Sequence, residues 1–488
     1  MNTKSTITNG QEIKPVFDHA IVIGGSIAGL TATRVLSDHF ARVMVIERDY
    51  LPDEPEFRRG VPQTRHVHVL RLRGQQILEQ QFPGLVAELL ANGAVTVNAG
   101  NEAEFFLFGQ WRAPHYQSNI VSIACSRPLL ETTIYRRLAA HPRVRFIQGH
   151  EVAGLKTDDQ GERITGVRLR RAGQSQSDPI NLTADLVLDA SGRGSKAPQW
   201  LESLGFTPPK ETVVDPFPGY ATRLYRRPEN FRESWKTRNI IPTPPNNPRG
   251  GVLIPVEGDR WQVSLVGMGG DYPPTDEVGF LDFVRSLPSQ RLYEAIKKAE
   301  PLTRPVGGRH SENRLRHYDQ LPRYLEGFLV CGDAACALDP THAQGMTVAA
   351  LSSLALDRSL QAQREQATKD LTGLAQTFQQ ELGQTVAGPW HMATSTDSRW
   401  PNTAGAVEFD PATQQRLEYL AQVFRAMVHN PQVAEIFFHV QHMVESPQAL
   451  FQPDIQAQVG AVNRRLHRNP PSARRQRSQH PYSHVMSH

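Results

Sequence analysis

Apolar positions near the start of the chain follow two periods in turn. "AIVI", Ala20 to Ile23, is an unbroken β-rich run that reads as a buried strand. In "IAGLTATRVLSDHF" the residues Ile27, Leu30, Val35, Leu36 and Phe40 recur near helical spacing, and "RVMVIE" returns to a strand. This is a βαβ unit of about 30 residues, the smallest piece of a parallel sheet. "ADLVLDASGRGS" and "GFLVCGDAACALD" repeat the theme of an apolar strand emptying into a small-residue loop, the second followed by the helix-like "GMTVAALSSLALDRSLQA". Ligands of open α/β sheets sit where such strand ends meet.

Between roughly 205 and 310 the texture changes to proline-rich loops and alternating strands such as "GGVLIPVE" and "RWQVSLVGM". This predicts a mostly antiparallel sheet inserted into the first unit. From about 370 to 460, "QRLEYLAQVFRAMVHN" and "AEIFFHVQHMVES" carry apolar residues at three and four spacing and read as helices. The expected fold class is α/β (α+β): a Rossmann-like nucleotide domain, an inserted antiparallel sheet and a C-terminal helical region. The expected division is 16–84, 120–204 and 311–370 for the nucleotide domain, 85–119 and 205–310 for substrate, 371–460 helical, and 461–488 a disordered basic tail.

Composition changes this picture little. A chain of 488 residues, 39% hydrophobic and 21% charged, suits a soluble protein of two or three domains. No apolar run approaches the roughly 20 residues that cross a bilayer, and the first residues lack a signal-peptide core, so the expectation is a cytoplasmic protein without a transmembrane segment. Cys125, Cys331 and Cys336 do not make a disulfide framework or a metal site and read as buried or incidental thiols. No acidic residue follows Asp454, whereas Arg464, Arg465, Arg468, Arg474, Arg475 and Arg477 do, so this tail carries more than the whole net charge of +4. A solvated tail is the expectation, and no nucleic-acid partner. The oligomeric state is open.

"GGSIAG" nearly spells a dinucleotide fingerprint. Gly24 would allow the tight turn, Ser26 takes the place of the second glycine, and Gly29 lets helix and strand pack closely. Serine is small and its hydroxyl suits a phosphate oxygen, although the backbone there is expected to need a glycine-like geometry. Glu47 stands at the end of the second strand, 23 residues beyond Gly24, where a carboxylate accepts from ribose hydroxyls and disfavours a 2′-phosphate. The fingerprint alone does not separate NAD from FAD. "GDAACALDPTHAQGM" does: Gly332 and Asp333 at a strand end, and Gly345 and Met346 at a helix start, suit a ribityl chain and a flavin ring. The plainer alternative is a strand-to-helix turn with a capping aspartate. "VGMGGD" is read as a turn because "YPPTD" does not open a helix. His66 and His68 are read as flavin-side or structural, and no metal site is expected.

"VIGGSIAGL", "VIERD", "FRRGVPQTRHVHVL", "CSRPLLE", "ADLVLDASGRGS" and "VCGDAACALDPTHAQGM" together resemble the FAD-dependent monooxygenases of the para-hydroxybenzoate hydroxylase and squalene epoxidase superfamily. Within it the likeness is to bacterial polyether polyketide epoxidases of the lasalocid and monensin type, over about 18–360. The resemblance implies that Gly24, Gly25, Ser26, Ala28 and Gly29 hold the pyrophosphate and that Glu47 and Arg48 hold the adenosine end. Arg58 and Arg127 would hold further parts of FAD, and Gly332, Asp333, Gly345 and Met346 the flavin end. Asp189 falls in a motif tied to FAD and nicotinamide handling, and the stretch from Gly60 to His68 would run beside the cofactor.

The implied reaction is epoxidation or hydroxylation of a hydrophobic polyene, isoprenoid or polyketide. NAD(P)H acts as transient reductant, and O2 is captured by reduced flavin as a hydroperoxide. Catalytic side chains are not identifiable, and no base for activating a phenol stands out. Trp111, Tyr116, Tyr220, Tyr225 and Trp261 are candidates to line an apolar substrate cavity, although such aromatics are more often core. The alternatives are an aromatic hydroxylase, a geranylgeranyl-reductase-type oxidoreductase and a flavin-binding redox sensor; the "WxWxIP" signature of flavin halogenases is absent.

Overall fold

The computed structural model describes residues 16–468 apart from 113–115, 175–177, 310 and 367–369. Phe17–Ile23 (β1) is buried at six of its seven positions, as a strand covered on both faces must be. Ile27–His39 (α1) follows, then Phe40–Glu47 (β2). Five parallel strands form one sheet in the order Phe328–Val330, Leu186–Asp189, β1, β2, Val144–Gln148. α1 and the long helix Gly345–Glu365 pack against each other on this sheet, within one apolar core. The mixed α/β class read from the pattern is the class observed.

A seven-stranded sheet is drawn from strands between 103 and 308, antiparallel except where Thr237–Ile240 runs parallel to Ala103–Leu107. Its outer side carries a separate core in which Phe231, Trp235 and Trp261 pack edge-on or stacked, 4.8–5.7 Å apart. "VGMGGD" is the turn after Arg260–Gly267, with Gly269 and Gly270 at positive φ; the next helix begins only at Glu277.

The helix Leu374–Asp397 lies along Gly345–Glu365. Pro411–Met427 and Pro431–Gln441 each open on a proline behind a side-chain cap, Asp410 to the Thr413 amide and Asn430 to those of Gln432 and Val433. With Pro453–Arg468 they enclose Val423, Met427, Phe438 and Val459, and Leu107 and Ile120 join this core from the strand side. The helix Pro453–Arg468 takes in the first eight residues of the expected disordered tail. Residues 461–468 finish a helix whose Ile455, Val459 and Asn463 are buried at four-residue spacing, one face that net charge alone concealed; the rest of the tail lies outside the described residues. No helix among the described residues is long and apolar enough to cross a membrane.

Candidate active site

Gly24 leaves β1 at φ +99°, and a Cβ there would stand 2.6 Å from the carbonyl oxygen of Ala190. A Cβ at Gly29 would meet the Gly24 carbonyl oxygen at 1.8 Å, so α1 approaches β1 this closely only without a side chain. Ser26 differs from expectation. Its φ of −104° and ψ of −174° are extended backbone open to any residue, so no glycine-like geometry is required. The hydroxyl donates to Glu131 Oε1 (2.6 Å) and accepts from Arg127 Nη2 (2.8 Å) rather than capping α1. Ser26, Ile27 and Ala28 border a cavity, and the uncapped first turn of α1 opens onto it.

Glu47 is buried; Oε2 accepts from the Gly25 amide (2.8 Å) and Oε1 from that of Asp49 (3.0 Å). Arg58 lies behind the loop, paired with Glu47 and Glu131 at 3.2 Å each and donating to the Gly25 carbonyl (3.1 Å). Burial alone would lower its pKa, but Glu131 and Glu47 raise it on balance. Arg127 pairs with Glu131 (2.8 Å) and does line the cavity. Glu131 was missed from sequence as a member of this cluster. Its signal was the i, i+4 spacing from Arg127 on the helix Arg127–Ala139, which places both side chains on one face.

The distant loops converge as the strand ends require. Ile23, Asp189 and Val330 stand side by side, and a Cβ at Gly332, where φ is +61°, would be 2.6 Å from the Cβ of Ala28. Gly332 and an exposed Asp333 line the cavity, as do Arg48, Gly345 and Met346. Gly25, Gly29, Arg58 and Asp189 do not line it. Asp189 is fully buried, accepts from the Ser191 amide (2.9 Å) and Ser195 Oγ (2.5 Å), and is pushed up by burial; it shapes its own turn.

His66 and His68 are held neutral, pushed down to about 4 and about 3, each chiefly by burial and then by Arg65 and Arg127 respectively. His66 Nδ1 meets Thr222 Oγ1 at 2.8 Å, and His68 Nε2 accepts from Arg127 (2.9 Å). A second polar cluster adjoins the loop before Gly345. Asp339 Oδ1 accepts from Tyr220 Oη (2.7 Å) and the Thr341 amide (2.9 Å), while Asp397 accepts from Asn313 Nδ2 (2.6 Å) and meets His342 Nε2 (2.9 Å). Burial and the nearby Asp397 push Asp339 up to about 6; His342 is raised, Asp397 more than offsetting its burial. Asp339, His342 and Asp397 bring ligand-type atoms within 4.8 Å of one another; these hydrogen bonds engage Asp339 Oδ1, both Asp397 oxygens and His342 Nε2, while the buried Asp339 Oδ2 has no partner among the described residues. All three cysteines are free, and burial pushes the thiols of Cys125 and Cys336 up to about 12.

The cavity measures about 1970 Å³ and continues past the nucleotide loops into an apolar chamber. Ligand pockets commonly hold roughly 300–1,000 Å³, so this one has room for a dinucleotide and a second molecule. Of the aromatics proposed from sequence only Tyr220 lines it; Tyr225 and Trp261 are core, Trp111 packs on Phe106, and Tyr116 packs in the core of the C-terminal helices. The chamber walls are Phe105, Leu107, Ile240 and Val252 from the large sheet and Leu420, Phe424, Phe437 and Val440 from the C-terminal helices.

A glycine-edged strand-end crevice with an uncapped helix start, a buried acid at the end of β2 and a second helix start at Gly345 defines a dinucleotide-binding flavoprotein site. The chain belongs to the FAD binding domain family, which matches residues 18–373. It is 31% identical to Protein Rv3254 of Mycobacterium tuberculosis over 410 residues, 82% of each chain. Its fold is similar to that of p-nitrophenol 4-monooxygenase PnpA from Pseudomonas putida DLL-E4, with TM-score 0.58, 16% identity, and 88% and 98% of the two chains covered. It is also similar to that of CmlS, a flavin-dependent halogenase, with TM-score 0.60, 17% identity, and 87% and 76% covered. FAD is thus the cofactor, and the residues present fit it: a Cβ at Gly192, Gly194 or Gly345, all bordering the cavity, would meet nothing within 4 Å.

Proposed function

We propose that this flavin-dependent oxidoreductase is a monooxygenase that takes electrons from NAD(P)H and uses O2 to epoxidise or hydroxylate a hydrophobic polyene, isoprenoid or polyketide. Bound FAD would supply the electron transfer from nicotinamide to oxygen. In this reading the segments 16–84, 120–204 and 311–370 hold FAD, with the loop from Gly24 to Gly29 on the pyrophosphate, Glu47 and Arg48 toward the adenosine, and Asp333, Gly345 and Met346 toward the flavin. Arg58 and Asp189 act one step back, fixing Glu47, Glu131 and the Ser191 turn.

The observation that carries the reading is the continuity of the cavity from these loops into an apolar chamber closed by Pro411–Met427 and Pro431–Gln441. Such a chamber positions an apolar acceptor and keeps water from the reacting atoms. Incubating FAD-loaded protein with NADPH, labelled oxygen and candidate polyenes tests it: the expected product carries the label, and product without label removes the monooxygenase reading in favour of a reductase.

A second reading, hydroxylation of a phenol, is favoured by one observation. Tyr220, His342 and Asp397 border the cavity and are joined by hydrogen bonds through Asp339 and Asn313, a network able to accept a substrate proton. Turnover of phenols that His342→Gln slows at least tenfold would select it over alkene epoxidation.

A further inference from the structure

Arg71 is the N-cap residue of the helix Leu72–Gln81 and lines the cavity beside the loop before Gly345. Among the described residues its Nη2 donates to the His342 carbonyl at 2.8 Å, Nη1 has only the distant Gln441 Oε1 at 3.4 Å, and the buried Nε has no partner. No carboxylate among the described residues offsets its charge, and enclosure by protein alone lowers its pKa to about 10. Other arginines around the fold find partners. Arg58 and Arg127 share Glu131, and Arg112 lies against three backbone carbonyls, those of Ala99, Gly100 and Ala103, away from the cavity. A permanent charge enclosed without a counter-charge is unfavourable unless a ligand brings one.

We infer that Arg71 anchors a carboxylate of the substrate, which is therefore an apolar acid rather than a neutral hydrocarbon. The weakly engaged Nη1 would donate to a carboxylate oxygen, while Nε, shielded from the cavity, adds to the uncompensated charge. Phe437 and Val440 precede Gln441 on the same helix and line the same chamber, so an acid held at Arg71 has its apolar body against the helical cap. The inference rests on the monooxygenase reading for its consequence, since it fixes which end of the acceptor is kept in place.

The test is calorimetric titration of the FAD-loaded protein with dodecanoate and dodecanamide, and with 4-phenylbutyrate and its amide. At least one acid is expected to bind about tenfold or more tightly than its amide, the size of one charge-assisted hydrogen-bonded contact. In Arg71→Gln the preference is expected to fall below about twofold, and in Arg71→Lys to be partly kept, by the same measure. Equal affinity for acid and amide, no binding of either acid, or a preference unchanged in Arg71→Gln overturns the inference. So does loss of FAD or a shifted flavin spectrum in a folded Arg71→Gln, which assigns the guanidinium to the cofactor. FAD content, NADPH oxidation and label incorporation on the same preparations keep the two ideas apart: a working oxygenase without acid preference removes only the anchor, and acid preference without incorporated label removes only the oxygenase.

Discussion

Glu131 carries more of the nucleotide loop than its place in a helix announces. It holds the Ser26 hydroxyl, Arg58 and Arg127 at once while only 6% exposed. Burial alone would raise its pKa, but Arg127, Arg58 and the Ser26 hydroxyl bring it below the ordinary value. Its contribution to stability is therefore present above about pH 4.5 and lost as pH falls through the lowered pKa. Glu131→Gln leaves two enclosed guanidinium groups with one carboxylate fewer, a loss of about 3–5 kcal/mol. Thermal unfolding and FAD retention through gel filtration should both report it. Asp339 has the opposite sign. With its pKa raised to about 6, the folded protein holds a proton there that the unfolded chain releases nearer pH 4. Stability accordingly declines as pH rises from about 4 to 6, by something on the order of 2–3 kcal/mol. Asp339→Asn should flatten denaturant-derived stability across that window and leave the further decline above pH 6.5, where His342 loses its proton.

The contact between β1 and α1 decides whether the crevice exists. A methyl group at Gly29 would stand 1.8 Å from the Gly24 carbonyl oxygen, a backbone atom that has no room to give. Gly29→Ala should therefore abolish FAD uptake, read as colourless soluble protein or as failure to accumulate. Ser26→Gly should keep FAD, because Ser26 is in extended backbone, but lose about 1 kcal/mol with its two hydroxyl hydrogen bonds. The βαβ unit was legible because an unbroken apolar strand, a helical period and a terminal acid are local patterns. The Glu131 cluster was not, since it joins residues from four separate segments that no single period links. The helix through 461–468 was obscured for a related reason: its arginines dominate composition, while Ile455 and Val459 reveal themselves only at helical spacing.

Taken as a whole, the molecule opens its large cavity between two sheets and walls it with helices from the C-terminal region. An amphipathic helix announces that it has a buried face but not what that face covers, so the sequence offered the helices and withheld the chamber. Phe437 shows what the closure does. It is 7% exposed, packs on Phe424 and Phe438, and borders the cavity. Phe437→Ala removes a ring from both the cap's core and the chamber wall, at a cost to folding of about 3–5 kcal/mol if the site does not collapse. Because the parallel sheet and the cap have separate cores, FAD content should hold while the chamber admits water. NADPH oxidation should then continue with a larger share of its electrons released as hydrogen peroxide, measured as peroxide formed per NADPH consumed in the presence of an oxidisable substrate. Unchanged peroxide yield in a folded, FAD-loaded variant would mean that the cap does not guard the reacting atoms, and the water exclusion assigned to these helices would have to come from the sheet side alone.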